Sequence, residues 1–174
     1  MTVHKAGVIK TAPPAGLLIE ALMPRWNFRD SYRRRLSAPG QGASPVQLAQ
    51  RIFSRTPAWV DRLMDLRNAA MRRLGLKDVG RLGQLQPEQH AVTLGDRIGP
   101  FTVYAHSDTE VVFGEKDRHL DVFISVSRWT EGDEAAVYVT TSVVIHNLLG
   151  RLYMLVVGPA HRVIAPAVLR AAAL

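Results

Sequence analysis

Hydrophobic and polar positions change period twice along this chain. From Ser44 to Leu74, apolar side chains recur every three to four residues, first as Val46, Leu48, Ala49, Ile52 and Phe53, then as Trp59, Val60, Leu63, Met64, Leu66, Ala70, Met71 and Leu74. Each set follows a hydroxyl residue and a proline, Ser44-Pro45 and Thr56-Pro57. That pair caps a helix with a side-chain oxygen and puts proline where no intrahelical N–H is needed. Two helices are predicted, the second ending at Gly75.

From Phe101 the pattern alternates instead. Phe101–His106, Glu110–Phe113, His119–Trp129 and Ala135–Ile145 read as strands, separated by turns at Ser107-Asp108, Gly114–Lys116 and Glu131-Gly132-Asp133. Such short connections make neighbouring strands antiparallel. Beyond them Asn147 suits a helix N-cap, and a largely apolar stretch runs to Leu174. Pro159 and Pro166 inside it predict a kink or a break.

The first forty residues are less regular. Residues 1–14 lack periodicity and end in Pro13-Pro14, which predicts a flexible arm. Ala15–Met23 reads as a short helix stopped at Pro24. Phe28–Leu36 alternates weakly, as an edge strand does, and Ala38–Gly42 is a turn. Lys77–Gly99, with four glycines and one proline, reads as a long loop whose one strand-like piece is Ala91–Leu94. No repeat or linker divides the chain, so residues 15–174 are expected to form one α+β domain. Its predicted architecture is a curved antiparallel sheet packed on a long C-terminal helix, with two helices between the first strand and the meander.

Alternation also sorts faces. On His119–Trp129 one face carries Leu120, Val122, Ile124 and Val126, the other His119, Asp121, Phe123, Ser125 and Ser127. On Ala135–Ile145, Val137, Val139, Val143 and Ile145, interrupted by Thr141, oppose Tyr138, Thr140, Ser142 and His146. The apolar faces should meet the final helix. Either Leu152, Leu155, Val156, Val163, Ile164 and Val168 fill the space there, or a hydrocarbon-lined cavity remains. His119 and Asp121 share the opposite face and His146 ends the next strand. Together they suit an acid/base or metal-holding cluster, and equally a solvated face with structural hydrogen bonds. His161 and Arg162 follow Pro159, where carbonyls freed by the proline, or a ligand at a cavity mouth, can engage them.

Composition narrows the chemistry. There is no cysteine, which removes disulfides, thiolate metal sites and cysteine nucleophiles. Net charge is +7, and between Arg25 and Arg73 eleven arginines face three aspartates. Such an excess is either a solvated helix face or a surface for an acidic partner, and no nucleic-acid motif accompanies it. Ser107, Ser125, Ser127 and Ser142 lack a nucleophile elbow, and Gly80 and Gly83 lack the strand and lysine of a phosphate loop. No cofactor is expected. Glu20 interrupts the N-terminal apolar run, and Arg151, His161 and Arg162 fall within the C-terminal one, so neither a cleaved signal nor a transmembrane segment is expected and the chain reads as cytoplasmic.

Four strings taken in order, Ile98-Gly99-Pro100-Phe101, Asp117-Arg118-His119-Leu120-Asp121, His146-Asn147-Leu148-Leu149-Gly150-Arg151-Leu152-Tyr153 and Gly158-Pro159-Ala160-His161-Arg162, resemble the bacterial domain-of-unknown-function family 2867, from about Ala15 to the C-terminus. That family is similar to the helix-grip superfamily of START lipid-transfer domains, polyketide cyclases and pollen-allergen-like proteins. The resemblance implies a helix-grip-like fold with a ligand cavity between sheet and helix.

The function expected is binding of a small hydrophobic or amphipathic ligand in that cavity. Its expected contacts are Val122, Ile124, Val139, Thr141 and Val143 from the sheet and Leu152, Tyr153 and Val156 from the helix. The polar end would lie near His119, Asp121, His146 or His161. One alternative is an enzyme of cyclase or dehydratase type using His119, Asp121 and His146 as acid and base. Another is an interaction module, a homodimer or a partner of an acidic protein such as an oxidoreductase, since resembling domains occur beside nucleotide-binding reductase domains.

Overall fold

In the computed structural model, residues 7–73, 92–98, 100–132 and 134–174 are described. Among these residues seven strands form a single antiparallel sheet: β1 (Val8–Lys10), β2 (Phe28–Arg35), β3 (Arg97–Ile98), β4 (Phe101–His106), β5 (Glu110–Lys116), β6 (Leu120–Glu131) and β7 (Glu134–Ile145), ordered β1-β2-β7-β6-β5-β4-β3. Five helices accompany them: α1 (Leu18–Leu22), α2 (Ala38–Gln41), α3 (Pro45–Phe53), α4 (Ala58–Arg73) and α5 (Leu148–Ala171). The fold is α+β, with α3 and α4 between β2 and the meander and α5 last, consistent with a helix-grip-like architecture.

The helices begin where their caps place them. Ser44 and Gln47 exchange side-chain-to-backbone bonds at the start of α3, a full capping box. Asn147 Oδ1 accepts the Gly150 N–H at the start of α5. The end predicted for α4 at Gly75 lies outside the described residues, as does most of the Lys77–Gly99 segment; its described part contributes β3.

Several sequence expectations are corrected. Val8–Lys10, within the segment read as an arm, pairs with β2 as the outer strand, so β2 is not an edge. Gly114–Lys116 is not a turn but the end of β5. A Cβ at Gly114 would lie 2.3 Å from the Val122 carbonyl oxygen, so this glycine permits close backbone approach within the sheet. The predicted break in the last helix does not occur, and α5 runs unbroken for 24 residues through both prolines. The carbonyls those prolines leave without a donor belong to Leu155 and Arg162, both exposed residues.

The sheet is covered on both faces. On one, α3 and α5 pack against Val103, Val111, Phe113, Ile124, Val126 and Val137. The other face, read from sequence as polar, is buried in the middle by α1: Leu17, Ile19 and Met23 pack on Val112 and Phe123, while Ser125, Ser127, Thr140 and Ser142 are all nearly inaccessible. Three of these hydroxyls find partners within the sheet, Ser125 on Glu110, Thr140 in the 2.9 Å bond with Ser31 and Ser142 in the 2.8 Å bond from Arg29 Nε, while the Ser127 hydroxyl has none among the described residues.

The arginines of β2 divide by face as alternation demands. Phe28, Asp30, Tyr32 and Arg34 point toward α5, and Arg34 donates to the carbonyls of Leu169, Arg170 and Ala172 at its C-terminus. A cation at that end complements both the free carbonyls and the helix dipole. Arg33 lies over the Tyr138 ring and Arg29 over Trp26 on the opposite face.

Candidate functional site

Between the sheet and α5 lies a cavity of about 220 Å³. That exceeds the roughly 150 Å³ of an apolar cavity able to hold benzene. Each wall follows from a local pattern. Leu120, Val122 and Ile124 of β6 and Val139, Thr141 and Val143 of β7 are alternate residues of paired strands, with Val122 opposite Val143 and Ile124 opposite Thr141. Phe28 of β2 and Phe101 of β4 join them. Tyr153, Val157, His161, Ile164 and Val168 form the sheet-facing stripe of α5, spaced at three and four residues. Ile52 and Phe53 of α3 and Met64 and Arg67 of α4 add further lining, and the cavity is partly open to solvent.

The expected sheet contacts Val122, Ile124, Val139, Thr141 and Val143 line this cavity, as do Tyr153 and His161. Leu152 and Val156 do not. They lie on the outward side of α5, 53% and 73% exposed, and with Leu148, Leu155 and Val163 they form an apolar strip facing solvent. The last helix neither fills the space nor turns these residues inward, because its inward stripe is set by Tyr153 and Val157, one position away from each. By length and composition α5 is the one helix among the described residues apolar enough to cross a membrane.

The cluster of His119, Asp121 and His146 divides. His119 precedes β6, in the turn rather than on the strand, and its imidazole is buried with Nδ1 3.2 Å from Asp117. Its ring meets Tyr153 edge-on, at 5.4 Å between centroids. Asp121 pairs with His146 instead, at 3.0 Å, near the surface. Neither pair is part of the cavity wall, and no three histidine, aspartate or glutamate side chains among the described residues are grouped to hold a metal. The three-residue acid/base or metal arrangement is therefore not assembled.

Two polar groups, one in the wall and one behind it, were not singled out from sequence. Arg67 lies with its guanidinium 5.6 Å from the Tyr153 ring centre, donates from Nε to the Tyr153 hydroxyl at 3.1 Å and from Nη1 to Asn68 at 2.9 Å. Its position was legible in principle, three residues after Met64 on the same helix face. Behind His161 stands Asp30, buried on β2. Asp30 Oδ1 is 2.6 Å from Lys10 Nζ, and Oδ2 is 3.5 Å from His161 Nδ1. Phe28 meets the His161 ring edge-on at 5.6 Å. The signal for Asp30 was its alternation with Phe28 and Tyr32.

Burial sets the protonation of these groups. His161 is held below the ordinary imidazole range by desolvation, which outweighs the opposing pull of the Asp30 charge. His119 is lowered for the same reason, against Asp117. Tyr32 is raised by burial and then by the Asp30 charge. A histidine with a depressed folded-state value favours the neutral form. Its contribution to stability is present above the unfolded value, about 6.5, and is lost as pH falls through the folded value. Unfolding midpoints in urea should therefore drop as pH is lowered below about 6.5. His161→Asn should reduce that slope, and NMR should place the His161 titration midpoint below the ordinary imidazole value of about 6.5.

A family model, described as Protein of unknown function (DUF2867), matches residues 22–168. The chain belongs to this family. The DUF2867 match runs from the last residue of α1 into the last turns of α5 and takes in every residue lining the cavity except Leu169. No curated protein and no solved structure matches the chain.

Proposed function

We propose that this protein binds a small hydrophobic or amphipathic molecule in the space between β6, β7 and α5. One observation carries the reading: an apolar cavity persists where two strands and a helix could have closed on one another. Interiors are normally packed to crystal-like density, so a retained void of this size needs a reason. A ligand supplies one, because hydrocarbon surface transferred from water contributes roughly 25 cal/mol per Å² buried. In this reading the protein is cytoplasmic and α5 is a wall rather than a span, with its inward stripe committed to the sheet.

A hydrophobic fluorescent probe tests it. Val139→Trp places an indole into the space and should abolish probe binding, while overpacking lowers stability by about 1–3 kcal/mol. Val163→Trp, on the outward side of α5, should leave binding unchanged. A folded Val139→Trp variant that binds the probe as the parent does would remove the cavity from consideration.

A second reading, an enzyme of cyclase or dehydratase type, draws support from the Asp30–His161 pair. There a carboxylate faces Nδ1 of an imidazole kept neutral by burial, and that imidazole lines the cavity. Such a histidine is suited to accept a proton from a bound carbonyl compound. In that case His161→Gln should abolish turnover of a polyketide-like substrate while probe binding persists; retained turnover would reject the assignment.

A further inference from the structure

We infer that the cavity selects a molecule with an anionic head, a monocarboxylate on a short alkyl or aryl body, and that Arg67 with Tyr153 holds the carboxylate. This rests on the ligand-binding reading above and narrows it to a chemical class.

The walls supply an inventory of donors and acceptors. Nearly all of the lining is hydrocarbon, and a permanent positive charge stands in it at Arg67. Of its five N–H donors, Nε is used by the Tyr153 hydroxyl and one on Nη1 by Asn68. No carboxylate of the described residues pairs with it, in contrast to Arg35, which has Glu134 at 2.8 Å. Tyr153 uses its oxygen as the acceptor from Arg67, which leaves its O–H to donate elsewhere. No acceptor for that proton is present among the described residues, because its neighbour His119 approaches only edge-on with the ring. Guanidinium and phenol thus offer several unspent donors and no acceptor at one end of an apolar space.

A carboxylate answers that arrangement best. It brings only acceptors, it is planar, and arginine engages it through two parallel N–H bonds. An alcohol or a ketone brings a weaker acceptor and no charge. The rest of the ligand lies along Val122, Val139, Val143 and Val157 toward His161. Tyr153 and His161 are eight residues apart on α5, about 12 Å along its axis. An eight-carbon acid is of that scale.

The experiment is calorimetry with octanoate and 1-octanol on the full chain at neutral pH. The parent should bind octanoate at least tenfold more tightly than octanol. Arg67→Met, which keeps the length of the side chain and its apolar stem, should bring that ratio close to one with octanol affinity held. Tyr153→Phe should lower the ratio several-fold, and Arg67→Lys should keep part of it. Equal affinities in the parent, or a preference that survives Arg67→Met, would overturn the carboxylate assignment while leaving the cavity reading standing. Binding of neither compound would overturn both.

Discussion

Glu110→Ala should lower stability by about 3–5 kcal/mol, among the largest losses any single side chain of this protein can cause. Glu110 begins β5 and is 2% exposed, yet its carboxylate is fully used. One oxygen accepts the Leu18 N–H, and the other accepts the Ile19 N–H at 3.2 Å and the Ser125 hydroxyl at 2.6 Å. A strand residue thereby supplies the N-terminal cap of α1, whose own N-cap residue is Leu17 and offers no side-chain oxygen. Each buried donor left without an acceptor costs about 1–3 kcal/mol, and three are left at once. Glu110→Gln keeps one acceptor oxygen and should fall between. Glu134→Ala, which breaks an exposed pair with Arg35, should change stability by about 1 kcal/mol at most. Urea unfolding at pH 7 checks all three, and a Glu110→Ala loss no larger than that of Glu134→Ala would refute the capping role.

The same interaction explains why half of the sheet was misread from the sequence. Period-two alternation names two faces but does not say which elements cover them. Ser125, Ser127, Thr140 and Ser142 have the polarity of a solvated face. On the β5–β6 side α1, five residues long, is fastened over the face by Glu110 from 92 and 91 residues away, and on β7 Thr140 and Ser142 are bonded to Ser31 and Arg29 of β2. A distant carboxylate of this kind leaves no local pattern. Alternation with Phe28 and Tyr32 gives the face of Asp30 but not its partners, since Lys10 and His161 come from β1 and α5.

What was legible obeyed local rules. Ser44, Pro45 and Asn147 announce helix starts through capping geometry alone, and the inward residues of β6 and β7 follow from the pleat. Hence the β6 and β7 part of the sheet wall was readable, whereas Phe28 of β2 and Phe101 of β4 were not named as contacts. The helix wall was readable only in part. In a helix that is apolar nearly all round, Tyr153 and Val157 cannot be told from Leu152 and Val156 by hydrophobicity, and one residue of offset is 100° of rotation. What fixes the rotation of α5 is contact. Gly150 faces the turn before β6, and Gly158 lies against Phe28.

That contact sets up two alanine substitutions of opposite sign within one helix. At Gly150, in the first turn of α5, a Cβ would lie 2.2 Å from the His119 carbonyl oxygen and 3.0 Å from Ile145 Cγ2. The carbonyl cannot retreat freely, because it accepts the His146 N–H at 3.0 Å and closes the end of the β6–β7 pairing. Nor can the helix lift easily, since the Gly150 N–H is held by the Asn147 side chain. Gly150→Ala should therefore cost about 3 kcal/mol or more, the upper part of the range for overpacking, because backbone rather than a flexible side chain must move. At Gly158 a Cβ would meet only Met154 and Phe28, both at 3.8 Å, an ordinary contact distance. Gly158→Ala should instead stabilise by about 0.5–1 kcal/mol, the difference in helix propensity. Thermal unfolding of the two variants beside the parent reads both signs at once. The first loss carries a further consequence for the site, since Tyr153 lies one turn beyond Gly150: lifting that turn should open the Arg67 end of the cavity and weaken ligand binding even where the variant remains folded. If Gly150→Ala unfolds at or above the parent temperature, α5 is not seated on the His119 carbonyl as described, and the rotation that brings Tyr153 and His161 to the cavity must be set elsewhere.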